Sequence, residues 1–134
     1  MICTFTFDKT LQGDYRTMMG TTPAEVAQKL VEAGADVVGT NCGNGMAGMV
    51  EIVAQMAAAV PGVPLLVHAN AGLPVVEGGV TTFPETPQQM AARVPDLVQA
   101  GARIIGGSCG TTPDHIRAIR EAVDALGRGL IRQP

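Results

Sequence analysis

The sequence of 134 residues lacks tryptophan and has only three phenylalanines and one tyrosine, so its core has to be built from aliphatic side chains. It also lacks a run of basic residues: nine Lys and Arg stand against twelve Asp and Glu, for a net charge of −3. Nucleic acid is therefore not an expected partner, because phosphate binding requires a concentrated positive surface. Gly, Pro or polar residues interrupt every apolar stretch before it reaches the length that crosses a bilayer, so no membrane association is expected.

Secretion signals and paired cysteines are missing as well. The first residues have no basic segment followed by an apolar stretch of signal-peptide length, and we expect a cytoplasmic protein. Three cysteines are an odd number in such a chain, which argues against a disulfide framework. Metal binding or a nucleophilic role is the alternative use of these thiols.

What the sequence does contain is a strict alternation of strand-like and helical segments. Apolar runs predict strands at residues 2–7, 36–40, 63–69 and 103–107, and helical periodicity predicts helices at about 23–33, 45–59, 87–100 and 113–126. Three helices begin with a threonine that caps the helix and a proline in its first turn, at residues 22–23, 86–87 and 112–113. Pro95 is expected to kink the third helix. Continuously apolar strands separated by helices predict a parallel sheet covered by helices.

An internal repeat indicates which fold this is. "LVEAGADVVGTNCG" (30–43) aligns with "LVQAGARIIGGSCG" (97–110) without a gap at an offset of 67, and this register matches Cys42 with Cys109. In a (β/α)8 barrel, alternate strands contribute to one layer of side chains, so both thiols are expected at the C-terminal rim. Only four of the eight modules are present. We therefore predict an α/β fold of four βα modules over residues 1–134, half of a (β/α)8 TIM-type barrel, which closes with a complementary half barrel or a second copy of itself.

Cys42 and Cys109 each end a predicted strand and precede a glycine, which lets a ligand approach the backbone. One interpretation is a zinc site, because thiolates are preferred zinc ligands. The other is that both are small buried apolar residues, as free cysteines often are. Cys3 lies near the start of its strand, far from the rim, and is expected in the core.

"HANAGLP" (68–74) follows the strand between the two cysteine strands. Asn70 is either a donor to a polar ligand or an asparagine that satisfies its own turn. His68 is either a ligand or acid/base, or a hydrogen-bonded wall residue, and Asn70 and His68 are the predicted substrate-binding residues. His115, in the first turn of the last helix, is expected to be solvated, and residues 7–20 are expected to form a long polar loop at the same rim, lining a substrate mouth or serving only as a connection.

"GNGMAG" (43–48) matches the G-x-G-x-x-G pattern of dinucleotide sites between a strand and a helix. The acidic residue expected about 20 positions later, which would bind a ribose, is missing from this chain. A dinucleotide is therefore not expected.

Three ordered motifs, "GTNCG" (39–43), "NAGLP" (70–74) and "GGSCGTTPDHI" (106–116), resemble the C-terminal half of the homocysteine S-methyltransferase family. The opening "TFTFD" and "RTMMG" are similar to the preceding segment in the methionine-synthase-like branch of that family. The resemblance implies the last four modules of a zinc-binding barrel, in which zinc holds a thiol such as homocysteine for methylation. Any corrinoid would arrive on a partner protein, because the chain has no Asp-x-His-x-x-Gly signature.

The resemblance also implies a ligand set. The family binds zinc through three thiolates, and the matching positions are Cys42, Ser108 and Cys109, with Asn70 bordering the substrate pocket. Ser108 departs from the family, since a neutral hydroxyl is a poorer zinc ligand than a thiolate. Zinc binding is therefore expected to be weak unless His68 or an incoming thiol takes the vacant ligand position. Two functions follow as the main alternatives: methyl transfer to a thiol by a paired half barrel, or a non-catalytic scaffold or interaction protein that has lost its metal. A third is a corrinoid-linked methyltransferase component with a different acceptor.

Overall fold

The computed structural model describes residues 1–131. In chain order, its strands are β1 (Ile2–Phe5), β2 (Asp8–Lys9), β3 (Tyr15–Arg16), β4 (Val37–Asn41), β5 (Leu65–Ala69), β6 (Val75–Glu77), β7 (Val80–Thr82) and β8 (Ala102–Gly107). Its helices are α1 (Pro23–Glu32), α2 (Met46–Ala59), α3 (Pro87–Ala92), α4 (Val94–Ala100) and α5 (Pro113–Ile131). Among these residues, no helix has the length and apolar character required to cross a membrane.

Four strands form one parallel sheet in the order β1-β4-β5-β8, with helices in each connection. The register places Asn41 beside His68, and His68 beside Gly106. The carboxyl ends of β4, β5 and β8 therefore lie next to one another at one edge of the sheet. The predicted α/β fold with a parallel sheet is confirmed.

The helices cover one face of this sheet. Helices α1, α2, α4 and α5 contact the strands beneath them, and α3 packs on α5. Val38, Leu65 and Val67 point into this interface and are buried. The core is aliphatic and rich in methionine, as the shortage of aromatic residues predicts, and its fully buried methionines are Met46, Met49, Met56 and Met90.

The opposite face of the sheet is partly exposed, and in the described part of the chain its two edges are unpaired. Within residues 1–131, β1 and β8 each pair with a neighbour on one side only. Ile2 on β1 is 58% exposed and Ile104 on β8 is 39% exposed. Both alternate with residues that face the helices, so they lie on the face that lines the interior when a sheet closes into a barrel. Exposed apolar side chains beside unpaired strand edges are unusual in a folded sheet, because such edges readily pair with another chain.

Local signals in the sequence account for the helix ends. Thr22 with Glu25, and Thr86 with Gln89, form capping boxes at the starts of α1 and α3. The helix predicted at 87–100 is divided at Arg93 into α3 and α4, because Pro95 has no N–H to continue the hydrogen-bond ladder.

Several expectations need correction. Residues 7–20 are not a plain loop, since they contain the β2–β3 hairpin, and a second hairpin, β6–β7, follows the "NAGLP" motif. The last helix continues past the predicted residue 126. Cys3 is half-buried rather than a core residue, because β1 lies at the edge of the sheet.

Candidate functional site

The two cysteines related by the internal repeat meet at the carboxyl edge of the sheet. Cys42 directly follows β4 and Cys109 follows β8, with β5 between these strands. Their Sγ atoms are 3.5 Å apart. Cys42 is half-buried and Cys109 is exposed. The structure thus places two thiols, 67 residues apart in sequence, side by side and open to solvent.

Backbone hydrogen bonds hold both cysteine turns to β5. The Cys42 N–H donates to the His68 carbonyl at 2.9 Å, and the Ser108 N–H donates to the Ala69 carbonyl at 2.8 Å. Cys42 adopts a left-handed backbone conformation with φ 57°, which non-glycine residues rarely occupy. The turn directs its side chain away from the strand and towards Cys109.

Ser108 and Asn70 influence the acidity of the Cys42 thiol. Burial raises the pKa of the Cys42 thiol, but hydrogen bonds outweigh burial and bring that pKa below its ordinary value; these come from Cys109, the Gly43 backbone, Ser108 and Asn70. Asn70 is 3% exposed, and its Oδ1 has no hydrogen-bond partner among the described residues. A buried amide oxygen without a partner is costly, so this atom is available to a donor on a bound molecule.

His68 lies beside the pair but does not complete it. Its ring packs over Gly106, where an added Cβ would come within 2.8 Å of the imidazole. Among residues 1–131, no three His, Cys, Asp or Glu side chains are close enough to share a metal ion. The placement therefore favours the wall-residue interpretation of His68 over a ligand role.

The "GNGMAG" segment serves packing between loops. A Cβ at Gly43 would come within 2.8 Å of the Thr6 side chain, and one at Gly45 would come within 3.0 Å of the Gly72 Cα. Asn44, between these glycines, donates from Nδ2 to the Phe7 carbonyl at 2.6 Å. Its own carbonyl accepts from the Asn70 N–H at 2.9 Å. The glycines are needed because the loops after β1, β4 and β5 meet here, which explains the motif without a dinucleotide.

A model of the family described as homocysteine S-methyltransferase matches residues 1–123. The chain belongs to the homocysteine S-methyltransferase family. The resemblance seen in the sequence is therefore confirmed for nearly the whole chain.

The relatives are longer proteins. The chain is 35% identical over 99 residues to methionine synthase of Mycobacterium leprae, covering 73% of this chain and 8% of that protein. It is 36% identical over 124 residues to betaine–homocysteine S-methyltransferase 1 of Danio rerio, covering 81% of this chain and 31% of the relative. The apo crystal structure of the Escherichia coli homocysteine methyltransferase MmuM superposes with a TM-score of 0.63 at 26% identity, over 87% of this chain and 39% of the enzyme. The chain thus spans well under half of each of these relatives.

The thiol pair can be compared with the zinc site that the sequence resemblance implies. Two thiolates bound tetrahedrally at about 2.3 Å from zinc lie roughly 3.8 Å apart. The observed separation of 3.5 Å is close to this value. The third position is a serine hydroxyl, which supplies neither the charge nor the softness of a thiolate. The donor set is therefore compatible with zinc but weaker than three thiolates.

A separate groove of about 700 Å³ lies behind the Cys42 turn, and neither thiol is among the described residues that line it. Lys9 Nζ lies 5.6 Å from the centre of the Tyr15 ring in this groove. Burial, followed by the charge of Glu51, raises the pKa of Tyr15. The segment 7–20 thus contributes Lys9 and Tyr15 to this groove rather than to the thiol pair.

The lowered pKa of Cys42 predicts the pH dependence of its alkylation. After chelator treatment, the rate of iodoacetamide labelling at Cys42 is expected to reach its midpoint at a lower pH in the folded chain than in urea, because the thiolate is the reactive form. Because the pKa of Cys42 is lower in the folded than in the unfolded chain, ionisation of this thiol stabilises the fold at pH values above the unfolded-state pKa. This stabilisation is lost as the pH falls through the folded-state pKa. Peptide mass spectrometry across a pH series measures both midpoints. An equal or higher midpoint in the folded chain would contradict the assigned hydrogen bonds.

Proposed function

We propose that this chain takes part in zinc-dependent methyl transfer to a thiol such as homocysteine, as the C-terminal half of a barrel that is completed by a second half. The observation that carries the proposal is the approach of the Cys42 and Cys109 sulfur atoms to 3.5 Å at the carboxyl edge of a parallel sheet. Barrel enzymes place their chemistry at this edge. Membership of the homocysteine S-methyltransferase family supports the choice of a thiol as acceptor.

Each residue at the edge has a role in this proposal. Cys42 and Cys109 would hold zinc, and Ser108 would supply a weak oxygen contact at the third position. Bound zinc acts as a Lewis acid that keeps an incoming thiol deprotonated and nucleophilic at neutral pH. Asn70 is buried with a free Oδ1, which suits it to accept a hydrogen bond from a polar group of the substrate.

The uncovered face of the sheet supports a need for a partner. Ile2 and Ile104 are exposed on that face, and β1 and β8 have free edges within the described residues. Either a complementary half barrel or a second copy of the chain would pair with these edges and supply the other wall of a substrate pocket. The methyl donor would enter from the open rim, carried by a small molecule or by a corrinoid on another protein.

Ser108 favours a second candidate, a scaffold or interaction protein descended from the enzyme. The hydroxyl removes one of the three thiolates of the family site, and no third His, Cys, Asp or Glu lies beside the pair in the part of the chain described. In this case, Cys42 and Cys109 would be retained as packing residues.

Zinc titration of the chelated and reduced chain tests the proposal. We expect one zinc ion per chain at saturation, and we expect Cys42→Ala to weaken binding at least about a hundredfold, since a thiolate ligand contributes several kcal/mol. Cys3→Ala is the matched control, because Cys3 is half-buried on β1 and follows no strand at the rim. A reduced chain that binds no zinc, or that binds it equally without Cys42, would favour the scaffold.

A further inference from the structure

The side chain of His115, expected to be solvated, is instead 7% exposed and hydrogen-bonded at both ring nitrogens. In the first turn of α5, Nδ1 lies 3.2 Å from the Thr112 backbone nitrogen and 2.9 Å from Thr112 Oγ1. Nε2 lies 2.8 Å from the backbone carbonyl of Glu85, thirty residues away in sequence. The imidazole therefore joins the start of α5 to the segment that precedes α3.

These partners determine the tautomer of His115. A carbonyl oxygen only accepts hydrogen bonds, so Nε2 must carry the proton and donate it to Glu85. Nδ1 is then the acceptor for the Thr112 N–H, as the neutral ring requires. Both hydrogen bonds are satisfied by one neutral form.

The bond to Glu85 continues towards Cys109. The Glu85 N–H donates to the Ala71 carbonyl at 2.9 Å, and the Ala71 N–H donates to the Cys109 carbonyl at 2.9 Å. Phe83 of the same segment packs on the turn as well, since a Cβ at Gly110 would come within 2.3 Å of the Phe83 side chain. The segment 83–85 thus contacts the cysteine turn directly and through Ala71.

The Cys109 side chain is exposed and its turn lies beyond the end of β8, so hydrogen bonds of the backbone fix its position. The bond from Ala71 to the Cys109 carbonyl adds to the bond from Ser108 to Ala69. Any displacement of the backbone at Cys109 changes the distance between the two sulfur atoms. A supporting residue that fixes this backbone therefore controls whether both thiols bind one atom at the same time.

We propose that His115 is a positioning residue for the Cys109 thiol, acting through Glu85 and Ala71. This inference rests on the proposed function only where it treats the two thiols as one binding site. The hydrogen bonds from His115 to the Cys109 turn are features of the structure and do not depend on that function. Residues that orient metal ligands in this way typically change affinity by about 10- to 100-fold when they are removed.

Two substitutions separate the two hydrogen bonds of the ring. His115→Gln places an amide N–H near the position of Nε2 and retains the donor to Glu85. His115→Asn places an amide oxygen near the position of Nδ1 and retains the acceptor for Thr112, but it does not reach Glu85. The readout is the affinity for phenylarsine oxide, whose arsenic binds two neighbouring thiols at once and requires neither zinc nor homocysteine. We expect His115→Asn to weaken this affinity about tenfold and His115→Gln to stay within about threefold of the wild type.

Iodoacetamide labelling of single thiols and thermal unfolding, measured on the same samples, separate a local change in spacing from loss of fold. Thr112→Ala is a further variant that leaves the Glu85 bond intact, and it is expected to retain phenylarsine oxide binding. The proposal is overturned if the Asn and Gln variants bind the reagent equally, or if Thr112→Ala weakens binding as much as His115→Asn does. Because the phenylarsine oxide assay contains no zinc, it tests the role of His115 even if the chain binds no zinc in the titration.

Discussion

Replacing Ser108 by cysteine is expected to raise the affinity of the chain for zinc about a hundredfold. Zinc sites with four protein ligands release about 10–16 kcal/mol, so one added thiolate contributes roughly 3 kcal/mol, a factor of about a hundred. Ser108 is the residue to change because it precedes Cys109, occupies the position where the resemblance implies a third thiolate, and lowers the pKa of the Cys42 thiol. Competition with a chromophoric chelator measures the change.

Two further variants control for the added cysteine. Ser108→Ala removes the hydroxyl, and only a small loss of affinity is expected if this group is a weak ligand. The double variant Ser108→Cys with Cys42→Ala has the same number of cysteines as the wild type, and it is expected to lose the gain. An unchanged affinity in the single Ser108→Cys variant would show that the rim no longer has the geometry of a zinc site.

The second large effect is expected at the uncovered face of the sheet. Ile104→Lys on β8 is expected to disrupt assembly, because pairing of this edge would bury an unpaired ammonium group at a cost of several kcal/mol, about a hundredfold or more in association. Sedimentation measures the effect. The wild-type chain, alone or with its complementary half, is expected to sediment as a species heavier than the 13.8 kDa monomer.

Val76→Lys is the matched control, since Val76 is 68% exposed in the β6–β7 hairpin and lies outside the parallel sheet. This variant is expected to assemble like the wild type. A wild-type chain that remains a 13.8 kDa monomer with cooperative unfolding, and that gains no partner, would contradict the half-barrel proposal. Equal loss of assembly in both lysine variants would place the interface elsewhere.

Periodic features of the sequence were sufficient to predict the framework. The strands of a parallel sheet are recognisable because each is apolar throughout, and Thr22 and Thr86 mark helix starts through contacts that extend only three residues. The meeting of Cys42 and Cys109 was predictable for a different reason. A repeat of two modules places equivalent residues on alternate strands, and parallel strands end at a common edge.

Contacts between distant segments were not predictable in the same way. The sequence predicts a solvated His115 because its own helix gives no sign of Glu85, which comes from a loop thirty residues earlier. The β6–β7 hairpin is absent from the predicted elements although Gly78 and Gly79 lie between two short segments rich in β-branched residues, which is a local hairpin signal. The left-handed backbone of Cys42 also had no signal, because residue type at this position favours other conformations.

That backbone conformation sets two demands against each other at position 42. A left-handed φ costs a residue with a Cβ about 1–2 kcal/mol, and glycine avoids this cost. Cys42 holds this conformation with φ 57° while it supplies one sulfur of the pair. Backbone stability alone would therefore favour glycine at this position, whereas only cysteine brings a thiol to the rim.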